Sequence, residues 1–96
     1  MSNHNQTKLG DAIKAMLDYY KLKGKYQQTR IKQLWAKLMG PAISQYTTDL
    51  KVYRKKLYVQ LSSAPLKQEL SMGTDRIRRL INEELGEDYL EEVIIR

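Results

Sequence analysis

The sequence predicts an α+β domain in two layers, with helices packed on one face of a small three-stranded sheet. Three observations carry this reading. Leu57, Val59 and Leu61 alternate with Tyr58, Gln60 and Ser62, and Leu50 and Val52 begin the same period-2 pattern one strand earlier, as half-buried strands require. Long stretches on either side of that pair repeat apolar residues every three or four positions, as amphipathic helices do. Tyr89 to Arg96 closes the chain with Val93 and Ile95 on one face and Ile94 on the other, a final strand that joins the pair.

Taken in order, Met1 to Gln6 is polar, has no apolar anchor and is expected to be a disordered tail, leaving residues 7–96 as a single domain. His4 lies in that tail without Cys, Asp or Glu at ligand spacing, so it reads as a solvated residue and no metal site is expected. Thr7 is a suitable N-cap for a helix carrying Leu9, Ala12, Ile13, Met16, Leu17 and Tyr20 on one face, which Gly24 is expected to end. A second helix from Lys25 to Met39 places Ile31, Leu34, Trp35 and Leu38 together, and Gly40-Pro41 stops it. A short helical turn from Ala42 to Tyr46 follows. Trp35 sits on the apolar stripe and reads as a core anchor in preference to a base-stacking platform; its indole N–H then needs a partner at the edge of the core.

Arg54, Lys55 and Lys56 make the turn between the first two strands, and Ser62, Ser63 and Pro65 punctuate the passage into the next helix. From Pro65 to Leu85 the apolar positions Leu66, Leu70, Ile77, Leu80 and Ile81 share a face that must cover the sheet. Gly73 falls on that stripe and admits two readings. The favoured one is a continuous helix, because the stripe keeps phase across the glycine; the other is a break, with Thr74 capping a new helix and Asp75 in its first turn. Gly86 ends the helix. The predicted order is α-α-β-β-α-β.

Composition bounds function more by exclusion. The 96 residues contain no cysteine, so there is neither a disulfide framework nor a thiolate metal site, and a reducing, cytoplasmic setting is expected. MSNHNQTK lacks the apolar run of a signal peptide, and no stretch approaches the roughly 20 apolar residues of a membrane span, so a soluble protein with no membrane partner is expected. One histidine, no phosphate-binding loop and no dinucleotide glycine fingerprint argue against an enzyme, a cofactor or a small-molecule substrate. The C-terminal carboxylates have no evident means of pushing their pKa values apart, as paired-acid catalysis requires.

Charge is uneven. Seventeen Lys/Arg against eleven Asp/Glu give +6; residues 1–73 hold thirteen basic and four acidic side chains, residues 74–96 four and seven. The predicted outward face of the hairpin carries Lys51, Tyr53, Tyr58 and Gln60, with Arg54, Lys55 and Lys56 at its tip. Lysines that neutralise phosphates beside rings that stack on bases suit single-stranded nucleic acid, although tyrosine is also a good strand former and edge lysine discourages unwanted pairing. Lys67, Arg76, Arg78 and Arg79 form a second basic cluster, for which a solvated face is the competing reading. Glu83, Glu84, Glu87, Asp88, Glu91 and Glu92 make an acidic patch that either docks a basic partner or balances charge.

Trp35 with Gly40, Ile43, Tyr46 and Thr47, then Leu57-x-Val59-x-Leu61-Ser62-Ser63 leading to Glu69-Leu70, Leu80-x-Asn82 with Leu85-Gly86, and Val93-x-Ile95-Arg96 together resemble the DciA family, formerly a domain of unknown function. The likeness runs from about Leu9 to Arg96 and is nearest to the short single-domain members found in Bacteroidetes. It implies a KH-like domain of a DNA-replication protein that associates with the DnaB-type replicative helicase and helps place it on single-stranded or forked DNA, without ATPase activity. In the helix–strand–strand–helix–helix–strand version of the KH fold, a G-x-x-G loop between the last two helices clamps the nucleic-acid backbone. This chain has Gly73 there but Arg76 in place of the second glycine, so contact in that region would act through charge and shape. Two other readings stay open: a protein-interaction module without DNA contact, and a KH-like protein associated with RNA or the ribosome.

Overall fold

The computed structural model describes residues 2–96, with side chains from Lys8 onward. The disordered tail expected over residues 1–6, His4 included, is not tested by the described side chains. The elements run α1 (Ser2–Ser44), β1 (Thr47–Tyr53), β2 (Lys56–Leu61), α2 (Ala64–Ser71), α3 (Thr74–Leu85) and β3 (Glu92–Ile95). The α+β class and the three-stranded sheet are as expected. Helix boundaries differ at two glycines, so the order is α-β-β-α-α-β, the one described above for the KH-like fold.

The first difference is at Gly24, which does not end a helix. Two helices were expected before the sheet; a single α1 runs through Gly24, and its only non-helical residue is Gly40 (φ 77°, ψ 175°), where Pro41 follows. An interior glycine costs about 1 kcal/mol relative to alanine. That is too little to stop a helix whose apolar stripe continues in phase through Tyr20, Gly24, Gln27 and Ile31. Gly40 differs because its backbone is left-handed and the next residue cannot donate.

The second difference is at Gly73, where the favoured continuous helix is broken. The amides of Met72 and Gly73 close α2 on the carbonyls of Glu69 and Leu70, and Thr74 begins α3 with Asp75 in its first turn. Thr74 is therefore the first helical residue, and no side chain caps α3. An unbroken helix over residues 65–85 would be about 30 Å long. It would overshoot strands of six and four residues, which extend roughly 13–20 Å. The break returns the chain to β3 while keeping both helical pieces against the sheet.

The sheet order is β1-β2-β3, with β1 antiparallel and β3 parallel to β2. Register pairs Leu50 with Val59, Val52 with Leu57, Leu57 with Val93 and Val59 with Ile95, so these side chains line the covered face. They meet Ile31, Leu34 and Trp35 of α1, Ile77, Ile81 and Leu85 of α3, and Leu90. Trp35 is fully buried, and its indole Nε1–H donates to Thr47 Oγ1 at 3.0 Å, the partner at the edge of the core that the ring needed. Asn82, also buried, donates from Nδ2 to the Leu90 carbonyl and accepts from the Leu90 amide, both at 2.9 Å, which ties the approach to β3 onto α3.

The molecule measures 65 × 23 × 19 Å because α1 outruns the rest. Its first buried side chain among those described is Gln27; toward the N-terminus the same helix stands clear of the body.

Candidate nucleic-acid interface

The hairpin tip is a two-residue turn, Arg54-Lys55, with φ of 51° and 64°; Lys56 already belongs to β2 and pairs with Tyr53. Such a turn matches the twist of the strands but wants Asn-Gly. Left-handed backbone costs a non-glycine residue about 1–2 kcal/mol, so two adjacent cations are held here at the expense of stability. The Glu91 amide donates to the Lys55 carbonyl at 2.8 Å and fixes the tip against the loop before β3.

This tip faces the middle of α1 across a cleft of ≈ 510 Å³. Lys21, Lys23, Gly24, Lys25 and Gln28 form one wall, Val52, Tyr53, Arg54 and Lys55 the other, with Tyr20 at one margin and Glu87, Asp88 and Tyr89 closing an end. Five cations therefore converge against two carboxylates. Glu87 is already engaged: its Oε1 is 3.2 Å from Lys23 Nζ and accepts from Gln27 Nε2 at 3.3 Å. The bond and charge of Glu87 raise the Lys23 ammonium above the usual lysine value, so it stays protonated. Lys21, Lys25, Arg54 and Lys55 form no ion pair with another described residue. Tyr53 is half exposed, with Arg54 and Lys51 lying 5.3 and 5.8 Å from its ring centroid. Tyr20 is 61% exposed and meets Tyr19 edge to face.

The residues expected at the site divide accordingly. Tyr53, Arg54 and Lys55 line the cleft, and Lys51 stands beside it. Lys56 and Tyr58 lie on the uncovered face of the sheet, as the alternation predicted for Tyr58, but Lys56 pairs with Glu92 at 3.5 Å and Tyr58 lies under the Arg96 guanidinium at 4.7 Å. Arg78 and Arg79 are bound to Asp75 at 2.9 and 3.2 Å, and Asp75 titrates below the ordinary carboxylate value because of the Arg78 bond. Lys67 and Arg76 are exposed on α2 and α3; none of these four residues lines the cleft.

Sequence reasoning missed Tyr20, Lys21, Lys23 and Lys25. A charge count by element reveals them: residues 8–39 carry eight basic and two acidic side chains, the whole +6 of the chain, while residues 40–96 carry nine of each. Lys14, Lys21, Lys25 and Lys32 also recur at 7-4-7 spacing, one row on a helix of 3.6 residues per turn.

The described residues hold no group of three His, Cys, Asp or Glu able to bind a metal ion, and no helix long and apolar enough to cross a membrane. No curated protein and no solved structure matches the chain. A family model does, the one described as "Dna[CI] antecedent, DciA", over residues 8–95. That span takes in both walls of the cleft and the whole sheet, and it carries the resemblance noted from the sequence. The chain belongs to the DciA family, DNA-replication proteins associated with the DnaB-type replicative helicase.

Proposed function

We propose that this chain is a non-enzymatic helicase-loading factor that holds single-stranded or forked DNA in the cleft between α1 and the hairpin tip while it engages the helicase. The observation that carries the reading is the meeting of Lys21, Lys23, Lys25, Arg54 and Lys55 with the exposed rings of Tyr20 and Tyr53. Backbone phosphates follow the cations and bases stack on the rings, which gives affinity with little sequence preference. Lys51 extends this track. Lys56, Tyr58, Lys67, Arg76, Arg78 and Arg79 contribute less, since most of them already have partners within the chain. No bond is made or broken; the work is charge neutralisation and placement.

The test is binding of a fluorescent single strand across a salt series. With five cations engaged, the logarithm of affinity should fall with the logarithm of salt at a slope of about −3.5. Binding that is flat with salt, or undetectable at low salt, would contradict the reading. Matched RNA competing better than DNA would favour the RNA-associated alternative, since only RNA offers a 2′-hydroxyl. The uncharged exposed face of α1 favours a second reading, a protein-interaction module without DNA contact. Recovery of the helicase after nuclease treatment, combined with no DNA affinity, would select it.

A further inference from the structure

From Leu9 to Tyr20, α1 exposes Leu9, Ile13, Met16, Leu17 and Tyr20, each between 45 and 63% accessible, on a stripe in phase with the buried Ile31, Leu34 and Trp35. Every charge of the segment lies off that stripe: Lys8, Asp11, Lys14 and Asp18 fall on its flanks and back. They also cancel, so residues 8–20 are neutral and the excess charge of α1 begins at Lys21. Apart from Tyr20 at its end, which also borders the cleft, this neutral apolar face offers nothing to nucleic acid and gains nothing from a charged groove. It suits another neutral apolar face.

We propose that this face is covered by the same face of a second copy, the two helices packing antiparallel about a dyad between Lys14 and Ala15. In that register Leu9 layers against Tyr20 of the partner subunit, Ile13 against Met16 of the partner subunit and Leu17 against Ala12 of the partner subunit, so apolar side chains meet in every layer. No like charges meet, because the charged positions point away from the seam. The bodies lie at opposite ends of the pair: at 1.5 Å per residue, Ile31 and its counterpart are about 50 Å apart along it. Given their exposure, the apolar side chains of two copies would bury roughly 1,000 Å², at the low end for specific interfaces, so the dimer is reversible. The proposal does not require DNA binding, and the two share Tyr20, which the dimer seam and the cleft would compete for.

Sedimentation of the full chain tests it. The weight-average mass should climb from 11.3 kDa toward twice that value as concentration passes through roughly 10–100 μM. The double variant Ile13→Glu/Met16→Glu should stay monomeric with unchanged Trp35 fluorescence, since Trp35 lies in the body. The chain has no cysteine, so Leu9→Cys and Tyr20→Cys each supply a single thiol. On oxidation the two variants mixed should cross-link to each other at least tenfold more than either does alone. A wild-type mass fixed at 11.3 kDa, a double variant that still dimerises, or Leu9→Cys cross-linking to itself as readily as to Tyr20→Cys would overturn the proposal.

Discussion

Between Ile31 and Leu38, and again between Leu9 and Tyr20, α1 carries one apolar stripe in one phase, yet the two halves meet opposite conditions. Ile31 and Trp35 are 1% exposed, whereas Leu9 and Tyr20 exceed 60%. The C-terminal half lies on the sheet and α3; the N-terminal half touches neither. Periodicity thus determines which side of a helix is apolar and leaves open what covers it. The exposed half is helical because the docked half has already met the cost of nucleation, after which each added residue gains a hydrogen bond. The two halves should therefore respond differently to the same substitution, and the cleft where they meet should respond in a third way.

The largest contrast is in stability. Trp35→Ala removes a fully buried ring and the bond to Thr47, and should cost about 3–5 kcal/mol in urea unfolding. Ile13→Ala at the equivalent phase should stay within about 0.5 kcal/mol for the monomer at low concentration. A large loss at Ile13 would show that the outer half is covered within the monomer. Next in size is Asn82→Ala, which strands the amide and carbonyl of Leu90 and should cost about 2 kcal/mol, seen as a lower urea midpoint.

Third is the hairpin tip. Replacing Arg54-Lys55 by Asn-Gly relieves left-handed strain and should raise stability by about 1–2 kcal/mol while weakening DNA binding. A gain in both, or a loss of stability, would remove the claim that the tip trades stability for charge. Gly24→Ala should follow, since no atom lies within 4 Å of the added Cβ. It should slow amide exchange around residues 20–28 by up to about fivefold, the equivalent of 1 kcal/mol of helix propensity. The smallest effect concerns Asp75. Its carboxyl is held below the ordinary value by Arg78, so its stabilising pair is complete above the usual carboxylate range and is lost as pH falls through the depressed pKa. Asp75→Asn should lower stability slightly at neutral pH and at pH 10 and leave it unchanged once pH has fallen below the depressed pKa, so the acid limb of the stability profile flattens.

Much of the body was legible in the sequence. The alternation from Leu50 to Leu61 gave the strands and their covered face, Gly40-Pro41 gave the interruption after which a short helical turn follows, and the need of a buried indole for a partner was met by Thr47. The two glycine readings failed in opposite directions for one reason. Gly24 and Gly73 both lie on stripes that keep phase, so phase cannot separate them; the path of the chain does. After α2 the chain must return to a short parallel strand, which forces a break near Gly73, whereas no strand precedes α1 among the described residues and nothing bends it at Gly24. The cleft was half legible. Tyr53, Arg54 and Lys55 were visible as a basic, aromatic tip, but their counterparts on α1 are some thirty residues away, and only the docking angle of α1 brings them together.

The central claim is the location of the DNA, and ultraviolet cross-linking of a thymidine-rich single strand followed by peptide mapping tests it most directly. The account predicts adducts at Tyr20 and Tyr53, lost when Lys21, Lys25, Arg54 and Lys55 are changed to Glu. Adducts concentrated on Tyr58 at the open face of the sheet, or on the peptide holding Gly73 and Arg76, and unaffected by those changes, would contradict it.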